Sequence, residues 1–461
     1  MMPKVMTPEE KHLQMTTASI PKLLVSLSIP TTISMLVTSL YNMADTYFVG
    51  LLGSASATGA VGVVFPLMAI LQAVGFMFGH GSGNHMARSL GAQDTKQAEQ
   101  MAATGFFSSL IVGFLITAIG LIFLTPMVQV LGATPTIAPY AKDYAFYILL
   151  GAPWMVSSLV LNNQLRFQGS AFYGMIGITS GAVLNVILDP IFIFTFRMGV
   201  KGAALATMLS QFVGFLVLFA GTTRGSNIRI RFKNFSPNGR MYREIFKGGV
   251  PSLFRQGLGS VSIVCLNTAA AVYGDAAVAA MGIVNRLMQF GGSTIIGFGQ
   301  GFQPICGFNY GAKRYDRVRE AFWLCIKVAV AMLVVVGLCG FFFAPQIIHV
   351  FLKDDPLVTQ IGARALRYQC CFIPMFSFII MGNMMLQTMG LAAKASVLAA
   401  ARQGLFLIPC VLILPSIFGL TGVLISQPVS DVCSFLLTVP LTLGVLKELK
   451  AKELAGGEEK T

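Results

Sequence analysis

Asn185-Val-Ile-Leu-Asp189-Pro190 sits inside an apolar run that extends from about Phe172 to Phe194. The run is long enough for the ~20 residues that an α-helix needs to cross a bilayer. Within it Asn185 and Asp189 stand four apart, on one face of such a helix. A carboxylate at membrane depth is costly, and such groups usually face a protein interior or a wet cavity and mark an ion, proton or substrate path. Pro190 adds to this reading. A helix proline leaves a backbone carbonyl without its donor, and that oxygen is free to help hold a proton or cation.

The rest of the chain has the same character. Of its 461 residues 55% are hydrophobic and 11% charged, where a soluble domain carries about 25% charge. Twelve apolar runs begin near residues 23, 55, 98, 140, 172, 201, 245, 276, 319, 360, 395 and 422. The first, Leu23 to Gly50, is too long for a signal-peptide core and reads as a retained span. The net charge of +14 is not spread over a face, as a nucleic-acid binder would have it. Instead, 23 of the 32 Lys and Arg residues fall in alternate loops and at the two ends, with Arg166 and Arg402 counted among them. Positive charge is retained on the cytoplasmic side, so both termini are expected there, with an even number of spans. The eight cysteines all lie in the second half, without a CxxC pair or a histidine cluster, and read as small packing residues.

The two halves repeat one another. Pro30 and Pro251, Gly53 and Gly274, Pro153 and Pro374, and Gly169 and Gly390 are each 221 apart; Gly79 and Gly299, Gly91 and Gly311, and Gly199 and Gly419 are each 220 apart. This divides the chain into a tail (1–14), a six-helix lobe (15–222), a basic linker (223–244), a second six-helix lobe (245–450) and a tail (451–461). Six spans bring the second half into the membrane in the same sense as the first. The expected fold is therefore an all-α integral membrane protein of twelve transmembrane helices, its lobes related by a pseudo-twofold axis along the membrane normal. Repeats of this kind place the substrate site between the halves and work by rocking or gating. The glycine-rich ends Gly79–Asn84 and Gly299–Pro304 read as close helix packing, or as hinges for that rocking; His80 and His85 read as loop or packing residues.

The segment Ile29-Pro30 through Tyr41-Asn42-Met43-Ala44-Asp45-Thr46-Tyr47-Phe48-Val49-Gly50, together with Asn185–Pro190 and the doubled Gly-Ala loop, resembles the multidrug and toxic compound extrusion family, within it the MepA-like bacterial branch. The resemblance covers the whole chain. It implies a secondary antiporter, not an enzyme, in the bacterial plasma membrane, exporting lipophilic, often cationic drugs in exchange for inward H+ or Na+ and needing no cofactor. It also implies a coupling-ion site at Asp45, Asn185, Asp189 and Thr207. Depth agrees independently, because Asp45, Asp189 and Thr207 all lie near the outer ends of their helices. Two carboxylates in one low-dielectric pocket do not readily both ionise. An amide, a hydroxyl and two carboxylates equally supply oxygens for sodium. Some branches of the family are expected to carry a carboxylate on the seventh span, whereas here the polar pair after Pro251 is Arg255-Gln256.

Asn42, Gln256 and Asp431 are candidates for the substrate cavity. For Asp431 the alternative is an ion pair with Arg255 or Arg286, which lie at similar depth in the same lobe. The 36 Phe and 24 Met residues suit an adaptable apolar cavity, although most of them serve as core or lipid contacts. No Gly-Lys dipeptide occurs, so a P-loop is absent, and no HExxH motif is present. The competing function is a flippase for lipid-linked saccharides, whose related two-lobe plan is expected to present a cationic cavity. A complete pair of repeats favours a working monomer, with small-molecule drugs and the bilayer as its partners and no nucleic acid.

Overall fold

The computed structural model describes residues 7–351 and 355–458. A short helix α1 (Pro8–Thr17) precedes the first lobe, which comprises α2 (Ile20–Gly50), α3 (Ala55–Gly91), α4 (Thr95–Ile122), α5 (Leu124–Val130), α6 (Ala138–Phe167), α7 (Ala171–Pro190) and α8 (Val200–Thr222). The second lobe repeats this order as α9 (Gly239–Ala271), α10 (Asp275–Gly311), α11 (Tyr315–Phe342), α12 (Ala344–Phe351), α13 (Pro356–Thr388), α14 (Ala392–Ala400), α15 (Ile408–Phe418) and α16 (Leu420–Glu458). A π-helical turn continues α7 through Ile191–Thr195, and a second, Ala401–Leu407, joins α14 to α15 into one span. Leaving out α1 and the short α5 and α12, twelve spans result.

The glycines of the repeat now have a physical cause. Gly53 and Gly274 (φ 64° and 94°), Gly169 and Gly390 (82° and 81°), and Gly199 and Gly419 (56° and 58°) turn the chain between helices in matching places. Only glycine enters that region without strain. Helix starts are set by capping side chains. Asp94, Asn238 and Asp355 accept from the first free N–H groups of α4, α9 and α13.

Ten of these spans are long and apolar enough to cross a membrane on composition alone. The two that fall short are α9 and α10, of 33 and 37 residues. Their polarity follows from their position, because each packs across the lobe boundary: α9 against α3, and α10 against both α2 and α3. We call the end that carries the basic linker the inner end. Here Thr31 Oγ1 donates to the Gly297 carbonyl (2.6 Å), Ser28 Oγ to the Phe298 carbonyl (3.0 Å) and Arg88 to the Thr388 carbonyl (2.6 Å). At the innermost contact, α3 and α10 cross backbone to backbone. A Cβ on Gly91 would stand 2.1 Å from the Phe308 carbonyl oxygen, and one on Gly311 2.0 Å from that of Arg88. These two contacts are exchanged by the 220-residue repeat. Towards the outer end, Gly257 and Gly259 of α9 meet nothing within 4 Å, and Leu40, Met43 and Tyr47 of α2 are exposed. The lobes are thus closed against each other at the inner end.

Residues 8–17, at the end expected as a tail, form a helix that straps this inner end. Thr7 and Glu10 close a capping box around Pro8. Lys11 Nζ donates to Ser170 Oγ (2.7 Å) and Asn227 Oδ1 (3.1 Å) on the first-lobe side, whereas Asn309 donates to the Met15 carbonyl (3.1 Å) and Arg317 to that of Ala18 (2.5 Å) from the second lobe. Burial pushes the Lys11 ammonium down to about 7. Undocked, the amine keeps its proton up to its ordinary range, so between these limits the undocked form binds more protons and docking tightens as pH rises. From pH 7 to 9 the mobility of a nitroxide at the exposed position Leu13 is therefore expected to fall, with docking gaining up to about tenfold per pH unit. Lys11→Met is expected to flatten this dependence.

Candidate functional site

Asn185 and Asp189 share the face of α7 that meets α8. The Asn185 amide donates to Asp189 Oδ1 and to Thr207 Oγ1, both at 3.3 Å. Asp45, near the outer end of α2, approaches the same pocket and accepts from the Tyr144 hydroxyl at 3.4 Å. Asp189, Asn185 and Thr207 are buried, and Asp45 is 8% exposed. Among the described residues, one oxygen of each carboxylate, Asp45 Oδ1 and Asp189 Oδ2, has no hydrogen-bond partner, and neither have Asn185 Oδ1 and the Ser210 hydroxyl one turn beyond Thr207 on α8. Buried polar atoms are normally satisfied. The three unpartnered oxygens of Asp45, Asn185 and Asp189 therefore form a site able to take up a proton or a small hard cation. Among the described residues no group of three or more His, Cys, Asp or Glu side chains is placed so as to hold a metal ion.

Sequence reasoning brought Asp45, Asn185, Asp189 and Thr207 together and missed Tyr144 and the Tyr41–Gln211 pair, in which Gln211 donates to the Tyr41 hydroxyl (3.4 Å). The signal was present. Tyr144 lies six residues into α6, at its outer end, and the depth that agrees with Thr207 agrees with Tyr144 as well. Tyr41 stands one helical turn before Asp45 on α2. A π-turn follows directly after Pro190, whereas the carbonyl that this proline leaves without its donor is that of Val186, one turn before it.

The cavity candidates fare differently. The side chain of Asn42 lies outside the described residues. Gln256 sits half-buried on α9, its carbonyl accepting from Ser260 (3.3 Å); among the described residues no hydrogen bond joins it to Asp45 or Asp431. Asp431 is ion-paired, but to neither expected partner. Arg402 Nε donates to its Oδ1 at 2.7 Å. Arg402, counted among the loop cations, sits instead within the second lobe on the π-turn, ten residues beyond the start of α14. Arg166 was likewise assigned to a loop. It is fully buried between the lobes, donating to Gln303 (3.0 Å) and Asn163 (2.5 Å) with its Nη2 3.3 Å from His80 Nε2. His80 is buried at this lobe contact, and His85 stands 3.5 Å from the Glu244 carboxylate and 3.4 Å from the Arg88 guanidinium.

The MatE family model matches this chain twice, over residues 30–191 and 251–413. The chain is 30% identical over 421 residues to the multidrug export protein MepA of Staphylococcus haemolyticus, covering 91% of this chain and 92% of that one. An outward-facing multidrug resistance MATE family transporter of the MOP superfamily superposes with a TM-score of 0.90, at 29% identity over 95% of this chain and 98% of that one. A MATE protein crystallised with MaL6 also gives 0.90, at 29% identity over 95% and 99%.

Proposed function

Because the chain belongs to the MatE family, whose curated relatives are multidrug export transporters rather than enzymes, we propose that it is a secondary antiporter expelling lipophilic, often cationic compounds in exchange for inward H+ or Na+. One observation carries this reading: the buried cluster of Asp45, Asn185, Asp189 and Thr207, with its unpartnered oxygens, in a lobe that leans on its neighbour at the inner end. The basic linker and both termini face the cytoplasm of the bacterial plasma membrane, by the positive-inside rule. In that orientation the closed end is cytoplasmic and the pocket is loaded from outside. An ion arriving at the carboxylates neutralises the pair and removes the penalty for burying it further. The lobes, 15–222 and 245–450, then change their relative tilt around the central cavity, with the monomer as the working unit. Each net charge moved inward across 100 mV contributes about 2.3 kcal/mol.

The test is ethidium efflux from proteoliposomes under an imposed proton gradient and, separately, a sodium gradient. Efflux under one gradient supports the exchange and names the ion. No efflux under either, with altered lipid-linked precursors in cells, transfers the protein to the flippase class.

A further inference from the structure

The second lobe has an ion pair one helical turn inward of the position that corresponds to Thr207 of the first-lobe cluster. By the repeat offset Gln427 and Asp431 of α16 correspond to Thr207 and Gln211 of α8, and Arg402 corresponds to Ala182. The same register of equivalent helices thus serves two chemistries. In the second lobe the Asp431 carboxylate accepts from Arg402 Nε (2.7 Å), from Arg402 Nη2 (3.4 Å) and from Gln427 Nε2 (2.9 Å). The guanidinium lies over the ring of Phe376, its central carbon 4.4 Å from the centroid. A carboxylate, an amide and an aromatic face around a flat delocalised cation are the elements by which proteins bind planar organic cations.

The Arg402 side chain is 22% exposed, against 9% for Asp431. Its backbone, by contrast, is pinned: the Arg402 carbonyl accepts from Ser430 (2.5 Å) and that of Gln403 from Ser262 (2.6 Å). The arm is therefore able to swing towards solvent while its anchor stays. An ion pair left with one partner is strongly disfavoured in a buried site, so Arg402 leaves Asp431 only when another cation takes its place.

We propose that Asp431, Phe376 and Gln427 form a subsite for a planar organic cation, and that Arg402 occupies it as a built-in surrogate which the substrate displaces. This rests on the export reading for the existence of such a substrate. It adds the chemical class and the internal competitor. Displacement conserves charge, one cation entering as another leaves, so the subsite selects cations over neutral compounds of equal hydrophobicity.

The test is equilibrium binding of ethidium to the purified full-length chain, without any gradient. Arg402→Gln removes the competitor and is expected to tighten binding about tenfold. Arg402→Lys keeps the charge but loses the fork and the stacking, and is expected to tighten it about threefold. Asp431→Asn added to either variant abolishes the gain. Binding of neutral N-phenyl-1-naphthylamine stays within about twofold throughout. Unchanged or weaker ethidium binding in the Arg402 variants, or a gain that survives Asp431→Asn, overturns the proposal and leaves the pair as a clamp between the π-turn Ala401–Leu407 and α16. The two readings fail separately. A wild-type protein that pumps under a gradient while its Arg402 variants bind no tighter sinks only the surrogate, whereas a wild-type protein that never pumps sinks the export reading, whatever the binding data.

Discussion

Replacing both Asp45 and Asp189 with asparagine is expected to collapse the drug gradient that the protein sustains, while leaving it folded. Both side chains sit in one buried pocket, Asp45 held by Tyr144 and Asp189 by Asn185. Asparagine keeps the volume and one oxygen at each position. It does not exchange a proton in the physiological range, and it brings no negative charge to a sodium ion. A tenfold ion gradient is worth about 1.4 kcal/mol per ion exchanged, and each ion coupled to a drug sustains an equal drug gradient. Under a hundredfold ion gradient, a protein exchanging one ion per drug maintains about a hundredfold drug gradient and the double variant maintains none. Steady-state ethidium ratios in proteoliposomes read this directly. Stability is expected to hold or rise, because two buried ionisable groups with unpartnered oxygens are removed. A double variant that sustains the wild-type gradient would sink the assignment of the site.

How much of this was legible in the chain depended on whether the signal was local. Asn185 and Asp189 were found because i,i+4 spacing is a property of one helix. Asp45 and Thr207 came from the family resemblance, and depth, which needs only the direction of each span, agreed with them. The paired glycines were visible because each meets a need that other residues do not, a left-handed turn at Gly53 with Gly274 and Gly169 with Gly390, and close helix approach at Gly91 with Gly311. What was missed depended on contacts between distant segments. Arg166 stands one residue before the end of its helix and looks like a loop cation; only the other lobe, bringing Gln303 against it, makes it an interior group. Arg402 was misplaced for a different reason. Ten residues of α-helix advance about 15 Å, enough to carry it from the Gly390 turn to the level of Asp431, and the loop count ignored that rise. The apolar runs near 245 and 276 marked α9 and α10 as spans; what the chain alone did not show is that the faces they bury are turned to the first lobe and not to lipid.

Alanine at both Gly91 and Gly311 is expected to force the inner end apart. The added methyl groups would stand 2.1 and 2.0 Å from the carbonyl oxygens of Phe308 and Arg88. Those oxygens belong to helix backbones and have no rotamer by which to yield, so α3 and α10 must separate by roughly 1 Å or more before the contact becomes tolerable. Overpacking of this kind costs about 1–3 kcal/mol per site, and every 1.4 kcal/mol shifts a two-state population about tenfold. Because each methyl opposes only the arrangement in which the inner ends touch, the penalty falls on that arrangement and not on the fold of either lobe. Nitroxides at the exposed positions Lys96 and Arg314, in a cysteine-depleted background, are expected to report a longer distance in the double variant, together with loss of gradient-driven efflux. Gly62→Ala supplies the control. It lies in the same helix with nothing within 4 Å of the added atom, and its helix propensity improves by about 0.5–1 kcal/mol, so distance and efflux should both stay as in the parent. If the double variant kept the short distance and pumped normally, the backbone crossing at Gly91 and Gly311 would be ordinary packing, and the gate would have to be sought at Gly81 and Gly249, where an added Cβ would stand 2.1 Å from the carbonyl oxygens of Ile245 and Met77.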